Sequence, residues 1–287
     1  MNKTGLIVKG IGGFYYIKTE ENEIIECRAR GVFRKEGIKP LVGDFVEITD
    51  ETGGFYLSRI MPRKNQLIRP AVANLDQCVI VVAADFPKPD TVLIDKITVA
   101  LEIRGITPVI CINKADIADT SRLQKIYGKT GYKVLVTCAV SSEGIDELKS
   151  ELKGKLSAFA GNSGVGKSSI MNSIMPRDVM ETGEISKIER GRHTTRHSEL
   201  MEIDNGGLVI DTPGFGSFDI DVIESEELKC YFPEFRQFEG QCRFSGCNHV
   251  SEPGCAVLSA VKEKIVSKSR HKSYLNLFED LKAVKKY

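Results

Sequence analysis

The fold is indicated most strongly by the segment Gly161-Asn162-Ser163-Gly164-Val165-Gly166-Lys167-Ser168. It fits the pattern G-x-x-x-x-G-K-[ST] and follows an apolar run at residues 156–160. In a loop of this kind, successive backbone N–H groups converge on phosphate oxygens, and the following helix adds the positive end of its dipole. The sequence therefore predicts a strand, a phosphate-binding loop and a helix that begins at Lys167.

Each part of this loop has an expected task. We expect Lys167 to reach the β- and γ-phosphates of a bound nucleotide as a catalytic group, and Ser168 to offer its hydroxyl to Mg²⁺. The other loop residues and Ser169 complete the expected nucleotide contacts. Because the motif stands between a strand and a helix, its interpretation as an ordinary glycine-rich turn carries little weight.

A second motif, Asn113-Lys114-Ala115-Asp116, follows the apolar run 109–112. The carboxylate of Asp116 can accept hydrogen bonds from the guanine N1–H and exocyclic amino group, whereas adenine would leave it unpaired. The aliphatic stem of Lys114 can lie on the plane of the base. The motif therefore indicates guanine recognition.

Two further features concern the same base. Cys138 and Ala139 follow the run 134–136, and we expect a backbone N–H there to contact the guanine oxygen, although this signal is weak alone. The base-reading motif also precedes the phosphate loop, whereas an ordinary G domain has it afterwards. The motifs therefore occur in rotated order.

The expected switch segments carry the remaining nucleotide contacts. Asp211 and Gly214 fit D-x-x-G, so Asp211 is expected to hold Mg²⁺ through water and the Gly214 N–H to contact the γ-phosphate. Phe215 follows, where a water-orienting Gln is usual, and it cannot orient water. Upstream, His193 is the candidate replacement, the alternative being a solvated loop histidine. Thr195, in preference to Thr194, is expected to complete the Mg²⁺ shell.

Four metal-binding side chains lie close together near the C-terminus: Cys242, Cys247, His249 and Cys255. Three thiolates and one imidazole fill a tetrahedral, closed structural zinc site. We expect one Zn²⁺ per chain, which would stabilise a small and loop-rich region. Free core cysteines and an iron–sulfur cluster are the alternatives.

Changes of sequence pattern divide the chain into three expected domains. Residues 1–66 contain five short strand-like runs with glycine turns and predict a β-barrel such as an OB-fold. Residues 67–218 alternate apolar strands with helices, among them a helix over 91–103 capped by Asp90, and predict a circularly permuted α/β GTPase domain with a parallel sheet. Residues 219–287 predict a helical zinc-binding domain. The predicted fold class is a multidomain α/β protein.

The composition is that of a globular protein. It has 41% hydrophobic and 28% charged residues with a formal net charge of +1, so any nucleic-acid site must be a local basic patch. There is no apolar run of about 18 residues and no signal-peptide pattern at the start. The eight cysteines fit small core residues and a metal cluster. We therefore expect a cytoplasmic protein without a membrane partner.

The combined order of the motifs resembles that of the RsgA (YjeQ) family of circularly permuted GTPases, over the whole chain. The order is N-K-A-D, T-C-A, G-N-S-G-V-G-K-S-S, G-R-H-T-T, D-T-P-G-F and C-x₄-C-x-H-x₅-C. The resemblance implies slow hydrolysis of GTP to GDP and phosphate, stimulated by the small (30S) ribosomal subunit, and a role in late 30S maturation. It implies contacts of the barrel and zinc domain with 16S rRNA, and it supports His193 and Thr195 in the switch. Arg196 departs from the expected pattern, without an evident functional loss. We expect a monomer.

The residues alone leave RNA binding open. The tail 256–287 carries eight Lys or Arg against three acidic residues, and the barrel segment is rich in aromatic residues. The alternative is that the aromatic residues fill the barrel core and the basic residues form a solvated helix face. A GTP-gated RNA-binding module and, more weakly, a zinc-containing ATPase are the other functional classes. The aromatic residues concerned are Phe14, Tyr15, Tyr16, Phe33 and Phe55.

Overall fold

The computed structural model describes residues 2–68, 71–176, 199–210 and 219–284. The first strands close into a barrel in the order β1-β2-β3-β5-β4, with a short helix α1 (Gly31–Lys35) between β3 and β4. Strands β3 and β5 are parallel, and the other neighbours described here are antiparallel. The predicted OB-fold is confirmed. Its strands are β1 (Asn2–Ile11), β2 (Phe14–Thr19), β3 (Ile24–Ala29), β4 (Phe45–Glu51) and β5 (Gly54–Ile60).

Aliphatic side chains fill the barrel. Ile7, Ile17, Ile48 and Leu57 are fully buried, as expected for alternate inward-facing positions on short strands. Of the five aromatic residues singled out above, Phe33 is buried and the other four are half-buried. The interpretation of these aromatics as core residues therefore holds for Phe33 alone among the five.

Six strands form the sheet of the α/β region, and most of them match the predicted runs. They are preceded by a two-stranded ribbon of β6 (Gln66–Leu67) and β7 (Val72–Ala73). The three-residue strand β12 is antiparallel to β13, so the sheet is mixed, and the expectation of a parallel sheet is wrong at this strand. The sheet strands are β8 (Gln77–Ala83), β9 (Thr107–Asn113), β10 (Lys133–Val136), β11 (Leu156–Ala160), β12 (Leu200–Glu202) and β13 (Leu208–Ile210).

The chain divides into two compact units. The first comprises Met1–Gln77, Asp146–Ala160 and Ser168–Phe215, and its sheet strands follow the order β11-β13-β12. The second comprises Cys78–Ile145, Gly161–Lys167 and Gly216–Tyr287, with the strand order β10-β9-β8. The helices of this α/β region are α2 (Thr91–Ile103), α3 (Ser121–Tyr127), α4 (Ile145–Leu152) and α5 (Lys167–Ile174).

Helix α2 has the predicted bounds and the predicted cap. The carboxylate of Asp90 accepts hydrogen bonds from the N–H groups of Val92, at 3.0 Å, and Leu93, at 3.1 Å. These bonds satisfy two of the N–H groups that have no partner within the helix. The start of α2 is thereby fixed next to the loop that follows β8.

The C-terminal region contains two 3₁₀ segments, Ser225–Tyr231 and Pro233–Phe238, followed by two α-helices. Although the tail has helical spacing without Pro or Gly, it is divided into α6 (Ala256–Lys262) and α7 (Lys268–Ala283). The break contains Lys264 with a positive φ of 63°. In the part of the chain that the structure describes, no helix is both long and apolar enough to cross a membrane.

We predict that Gly43→Ala destabilises the protein by about 2 kcal/mol or more, because a β-carbon there meets backbone in addition to the strain of positive φ. Gly43 has φ +89°, and an added Cβ would lie 2.1 Å from the carbonyl oxygen of Ala73. Gly13→Ala is the matched control, since Gly13 has φ +88° and open space around it. Urea unfolding measures both, and equal losses of stability would contradict the steric argument.

Candidate nucleotide site and metal centre

The predicted phosphate loop follows β11 and ends where α5 begins at Lys167. Its Gly166 has φ +94°, and an added Cβ would lie 2.3 Å from Nδ2 of Asn113. A side chain at this position would therefore separate the loop from the base-reading motif. Glycine is required here by both conformation and space.

The side chain of Asn113 joins three loops. Its Nδ2 donates to the carbonyl oxygen of Val165 at 3.0 Å. Its Oδ1 accepts from the hydroxyl of Thr137 at 3.2 Å and from the N–H of Ala139 at 3.3 Å. Asn113 is 2% exposed, and a buried amide without such partners would be costly. The phosphate loop, the N-K-x-D motif and the T-C-A loop therefore meet through one amide group.

Lys114 and Asp116 occupy the edge of this site. Lys114 has a positive φ of 64°, and its ammonium group donates to the carbonyl oxygen of Phe86 at 2.9 Å. The N–H of Ala115 donates to the carbonyl oxygen of Thr137 at 3.2 Å. Asp116 is exposed. This arrangement holds the Lys114 stem next to the loop after β8 and leaves the Asp116 carboxylate accessible to a base.

Buried groups hold the T-C-A loop, residues 137–139, in place. The N–H of Cys138 donates to the carbonyl oxygen of Glu143 at 2.9 Å, so its hydrogen bond is made within the loop. The thiol of Cys111 lies 3.3 Å from the hydroxyl of Thr137. Burial raises the pKa of the Cys111 thiol to about 11, so this group is a neutral thiol near pH 7.

The Lys167 ammonium group lies within the phosphate loop. It donates to the carbonyl oxygens of Gly161, at 2.6 Å, and Asn162, at 2.9 Å. Ser168 and Ser169 lie in the first turn of α5 and are at least partly exposed. The loop thus has a cation at its centre, as phosphate binding requires.

Four of the expected site residues, His193, Thr195, Asp211 and Gly214, lie outside the described residues, as does Phe215. The roles expected for them rest on the sequence and stay predictions. Phe86 was missed by the sequence analysis, because its contribution is a backbone carbonyl group. The signal that could have indicated it was a short segment, Phe86-Pro87-Lys88-Pro89, that begins three positions after the end of a buried strand.

The Cys and His residues of the C-terminal motif form one cluster. Their ligand atoms all lie within 4.8 Å of one another. His249 Nδ1 lies 3.6 Å from the sulfur of Cys242 and 3.3 Å from that of Cys255, and these two sulfurs are 4.0 Å apart. A tetrahedral metal bound at roughly 2.3 Å to sulfur and 2.0 Å to nitrogen places ligand atoms roughly 3.5–3.8 Å apart. The cluster therefore fits a tetrahedral metal site.

Burial shifts the pKa values of the cluster's side chains in opposite directions. Burial, together with the charge of Lys229, lowers the pKa of His249, which favours the neutral imidazole that binds metals. Burial raises the pKa of the Cys247 and Cys255 thiols, and a bound cation opposes that effect. His271 Nε2 lies 2.8 Å from the carbonyl oxygen of His249, which fixes the backbone of this ligand.

A phosphate loop at the end of a buried strand, joined through Asn113 to a guanine-reading motif, defines a P-loop GTPase whose motifs are circularly permuted. The comparisons with known proteins agree with this class. The model of the RsgA GTPase family matches residues 60–221, and that of the RsgA N-terminal domain matches residues 4–56. The chain belongs to the RsgA GTPase family.

Relatives match along the whole chain. The protein named "Small ribosomal subunit biogenesis GTPase RsgA" of Caldanaerobacter subterraneus subsp. tengcongensis is 52% identical over 98% of this chain and 97% of its own length. The protein of the same name from Ruminiclostridium cellulolyticum is 48% identical over 99% of this chain and 95% of its own.

Solved structures give the same result. The crystal structure of YjeQ from Thermotoga maritima has a TM-score of 0.84 and 39% identity, covering 99% of this chain and 100% of that one. The structure of YloQ, described as a circularly permuted GTPase, has a TM-score of 0.84 and 35% identity, covering 100% of this chain and 97% of that one.

We predict that Asn113→Ala weakens GDP binding by about 10- to 100-fold, because it disconnects three loops and leaves buried groups unpaired at about 1–3 kcal/mol. Isothermal titration calorimetry measures the affinity. Gln77→Ala is the control: Gln77 is also buried and bonds Ser157, at 3.1 Å, but it lies at the start of β8. It is expected to lose stability and keep GDP affinity. An equal loss of affinity in both variants would contradict a specific role of Asn113.

Proposed function

We propose that this GTPase hydrolyses GTP to GDP and phosphate during late maturation of the small (30S) ribosomal subunit, and that the subunit stimulates its turnover. The names of the full-length relatives support the ribosomal role. The observation that carries the nucleotide part is the hydrogen bond of Asn113 with Val165, which brings base-reading and phosphate-binding residues to one place.

We assign the base contacts to the N-K-x-D motif and the T-C-A loop. Asp116 accepts from guanine, Lys114 covers the face of the base, and the Ala139 N–H contacts the guanine oxygen. Ala139 is assigned as the donor because its N–H makes the longer and therefore weaker hydrogen bond. The N–H of Cys138 donates to the Glu143 carbonyl oxygen at 2.9 Å, whereas that of Ala139 donates to Asn113 Oδ1 at 3.3 Å. Cys138 then shapes the loop.

The phosphate contacts fall to residues 161–169. Backbone N–H groups of the loop and the Lys167 ammonium group hold the β- and γ-phosphates, so charge that develops on these oxygens is neutralised by groups already in place. Ser168 and Thr195 would hold Mg²⁺, which supplies further positive charge at the same oxygens. Asp211 would hold it through water.

Orientation of the attacking water is assigned to His193, because Phe215 cannot hydrogen-bond a water molecule. Gly214 contacts the γ-phosphate through its N–H. These assignments are supported by the order of the motifs and by the family.

For the metal centre we propose one structural Zn²⁺ per chain, held by Cys242, Cys247, His249 and Cys255. A donor set of three thiolates and one imidazole favours zinc over hard cations, and four protein ligands leave no open position for catalysis. The division into domains at 1–66, 67–218 and 219–287 is part of this proposal.

We further propose that the barrel and the zinc-binding domain contact 16S rRNA and that the protein acts as a cytoplasmic monomer. The structure offers partly exposed aromatic and basic groups for such contacts. The guanidinium group of Arg28 lies 5.0 Å from the ring centre of Phe14 on the barrel, and that of Arg243 lies 5.6 Å from Phe244 beside the metal cluster.

The test is GTP turnover with and without purified 30S subunits. We expect the subunit to raise the turnover number by at least about tenfold, because the isolated chain lacks the usual glutamine that orients water. His193→Ala is expected to keep GDP affinity and lose most of the stimulation. His197→Ala, four positions along the same segment, is the matched control and should behave like the wild type.

Each result separates two interpretations. Absence of stimulation in the wild type would favour a GTP-gated RNA-binding module over the proposed enzyme. Full stimulation of His193→Ala would remove His193 from the mechanism. Displacement of bound GDP by ATP would favour the ATPase alternative and contradict the role of Asp116.

Zinc removal provides a separate prediction. We expect one zinc ion per chain by elemental analysis, and Cys247→Ser should lower both the zinc content and the thermal stability, because metal binding contributes folding energy. Cys230→Ser is the control, since Cys230 is an exposed cysteine outside the cluster. A chain without stoichiometric metal that unfolds at the same temperature as the metal-loaded protein would contradict the assignment.

A further inference from the structure

Helix α2 carries a row of polar side chains at helical spacing that bonds the C-terminal region of the same unit. Ser269 donates to the first of them at 3.3 Å, and Arg236 donates to the last at 3.0 Å. The two central members are fully buried. The row consists of Thr91, Asp95, Thr98 and Glu102.

Arg270 of α7 is the centre of this contact, and it is fully buried. Its Nη1 donates to Asp95 at 2.8 Å and to Thr98 at 3.1 Å, and its Nε donates to Glu234 at 2.7 Å. The guanidinium carbon lies 4.5 Å from the ring centre of Phe232. Because a buried ion pair that loses one partner leaves an uncompensated charge, α2 is held firmly at this point.

The adjacent face of α2 supports the phosphate loop. Leu93, Ile94 and Ile97 line one small cavity together with Gly161 and Val165. The side chains of Ile94, Ile97 and Val165 are buried. Because these residues line the same small cavity, a shift of α2 changes the apolar surroundings of Gly161 and Val165.

The same part of α7 also contacts the metal cluster. His271, the residue after Arg270, lies 2.8 Å from the backbone oxygen of His249, a cluster member. Two consecutive residues of α7 therefore hold α2 and the backbone of a metal ligand. Residues of α2 in turn line the same cavity as Val165, whose carbonyl oxygen bonds Asn113.

We propose that Arg270 is a positioning residue for nucleotide binding, which acts by fixing α2 and hence the apolar support beneath Val165. The proposal rests on the proposed function for its nucleotide. Arg270 touches no substrate atom; it holds the phosphate loop in its binding conformation, and it makes the affinity for nucleotide dependent on the packing of the metal-bearing region.

The experiment measures two properties of the full-length, metal-loaded chain. One is the dissociation rate of a fluorescent GDP analogue; the other is hydrogen exchange of the backbone amides at residues 161–167 without nucleotide. For Arg270→Met, and to a smaller extent Asp95→Asn, we expect dissociation about tenfold faster, a typical size of coupling between sites. Exchange at the loop should accelerate while exchange in β1 to β5 stays unchanged.

The controls separate positioning from general loss of stability. Lys272→Met alters an exposed residue of the same helix and should match the wild type. The double variant Asp95→Asn/Arg270→Met should dissociate GDP no faster than Arg270→Met alone, because both changes break one contact. The proposal would be overturned if the two substitutions accelerated GDP dissociation additively. It would also be overturned if a folded Arg270→Met variant released GDP and exchanged its loop amides at the wild-type rates.

If Arg270→Met does not fold, the same measurements on Asp95→Asn test the proposal. This variant is expected to fold because it keeps the size of the side chain and one acceptor oxygen. Failure of the wild-type chain to bind the GDP analogue would refute the proposed function. The exchange comparison uses nucleotide-free protein, so unchanged exchange at 161–167 would still overturn the positioning role in that case.

Discussion

The nucleotide site depends on one buried amide. Asn113 is separated from Val165 by 52 residues in the sequence, yet their hydrogen bond sets the distance between the phosphate loop and the base-reading motif. Gly166 permits this approach because it has no β-carbon. The constraint concerns positions in space and is indifferent to chain order. A permuted sequence can therefore build the same pocket, provided that the buried amide finds its three partners.

Contacts of different strength hold the parts of each unit together. In the first unit, the barrel contacts β12 and the residue before it through Lys18–Glu202 and Lys9–Glu199, the latter at 2.8 Å, and all four side chains are partly exposed. Exposed pairs of this kind contribute about 0–1 kcal/mol each. In the second unit, Arg270 is buried with two carboxylates. The barrel contact is therefore readily adjusted, whereas α2 and α7 behave as one body.

Much of the fold could be predicted from the sequence, because the signals were local. Asp90 and the apolar spacing after it set the start of α2, and the buried runs predicted β8, β9 and β11. Strand β12 was missed because its three residues end in Glu202 and form no apolar run of the kind that β13 forms. Arg270 was counted with a basic tail, because a sequence does not reveal that one cation among several faces two carboxylates.

For the nucleotide site, the sequence predicted the identity of the residues well, but it did not predict the hydrogen bonds that hold them. The motifs indicated Asn113 and Cys138. They did not indicate that the N–H of Cys138 donates to the carbonyl oxygen of Glu143, because no motif includes Glu143. The metal cluster was predictable in full, because three cysteines and a histidine within fourteen residues form a spacing typical of metal ligands.

In the sequence, the D-x-x-G motif leads directly into the C-terminal region of the second unit. The stretch that carries Gly214 is followed, a few residues later, by Asp219, whose carbonyl oxygen accepts a hydrogen bond from Arg104 at 3.3 Å. Arg104 caps the C-terminal end of α2, and its other nitrogen bonds Ala100 at 2.7 Å. Asp219, the first described residue after the D-x-x-G motif, is therefore attached to the C-terminal end of α2. The Arg270 cluster holds the same helix. Asp219 and Arg270 are therefore attached to one helix, and a displacement of either residue acts on α2 and its two buried ion pairs.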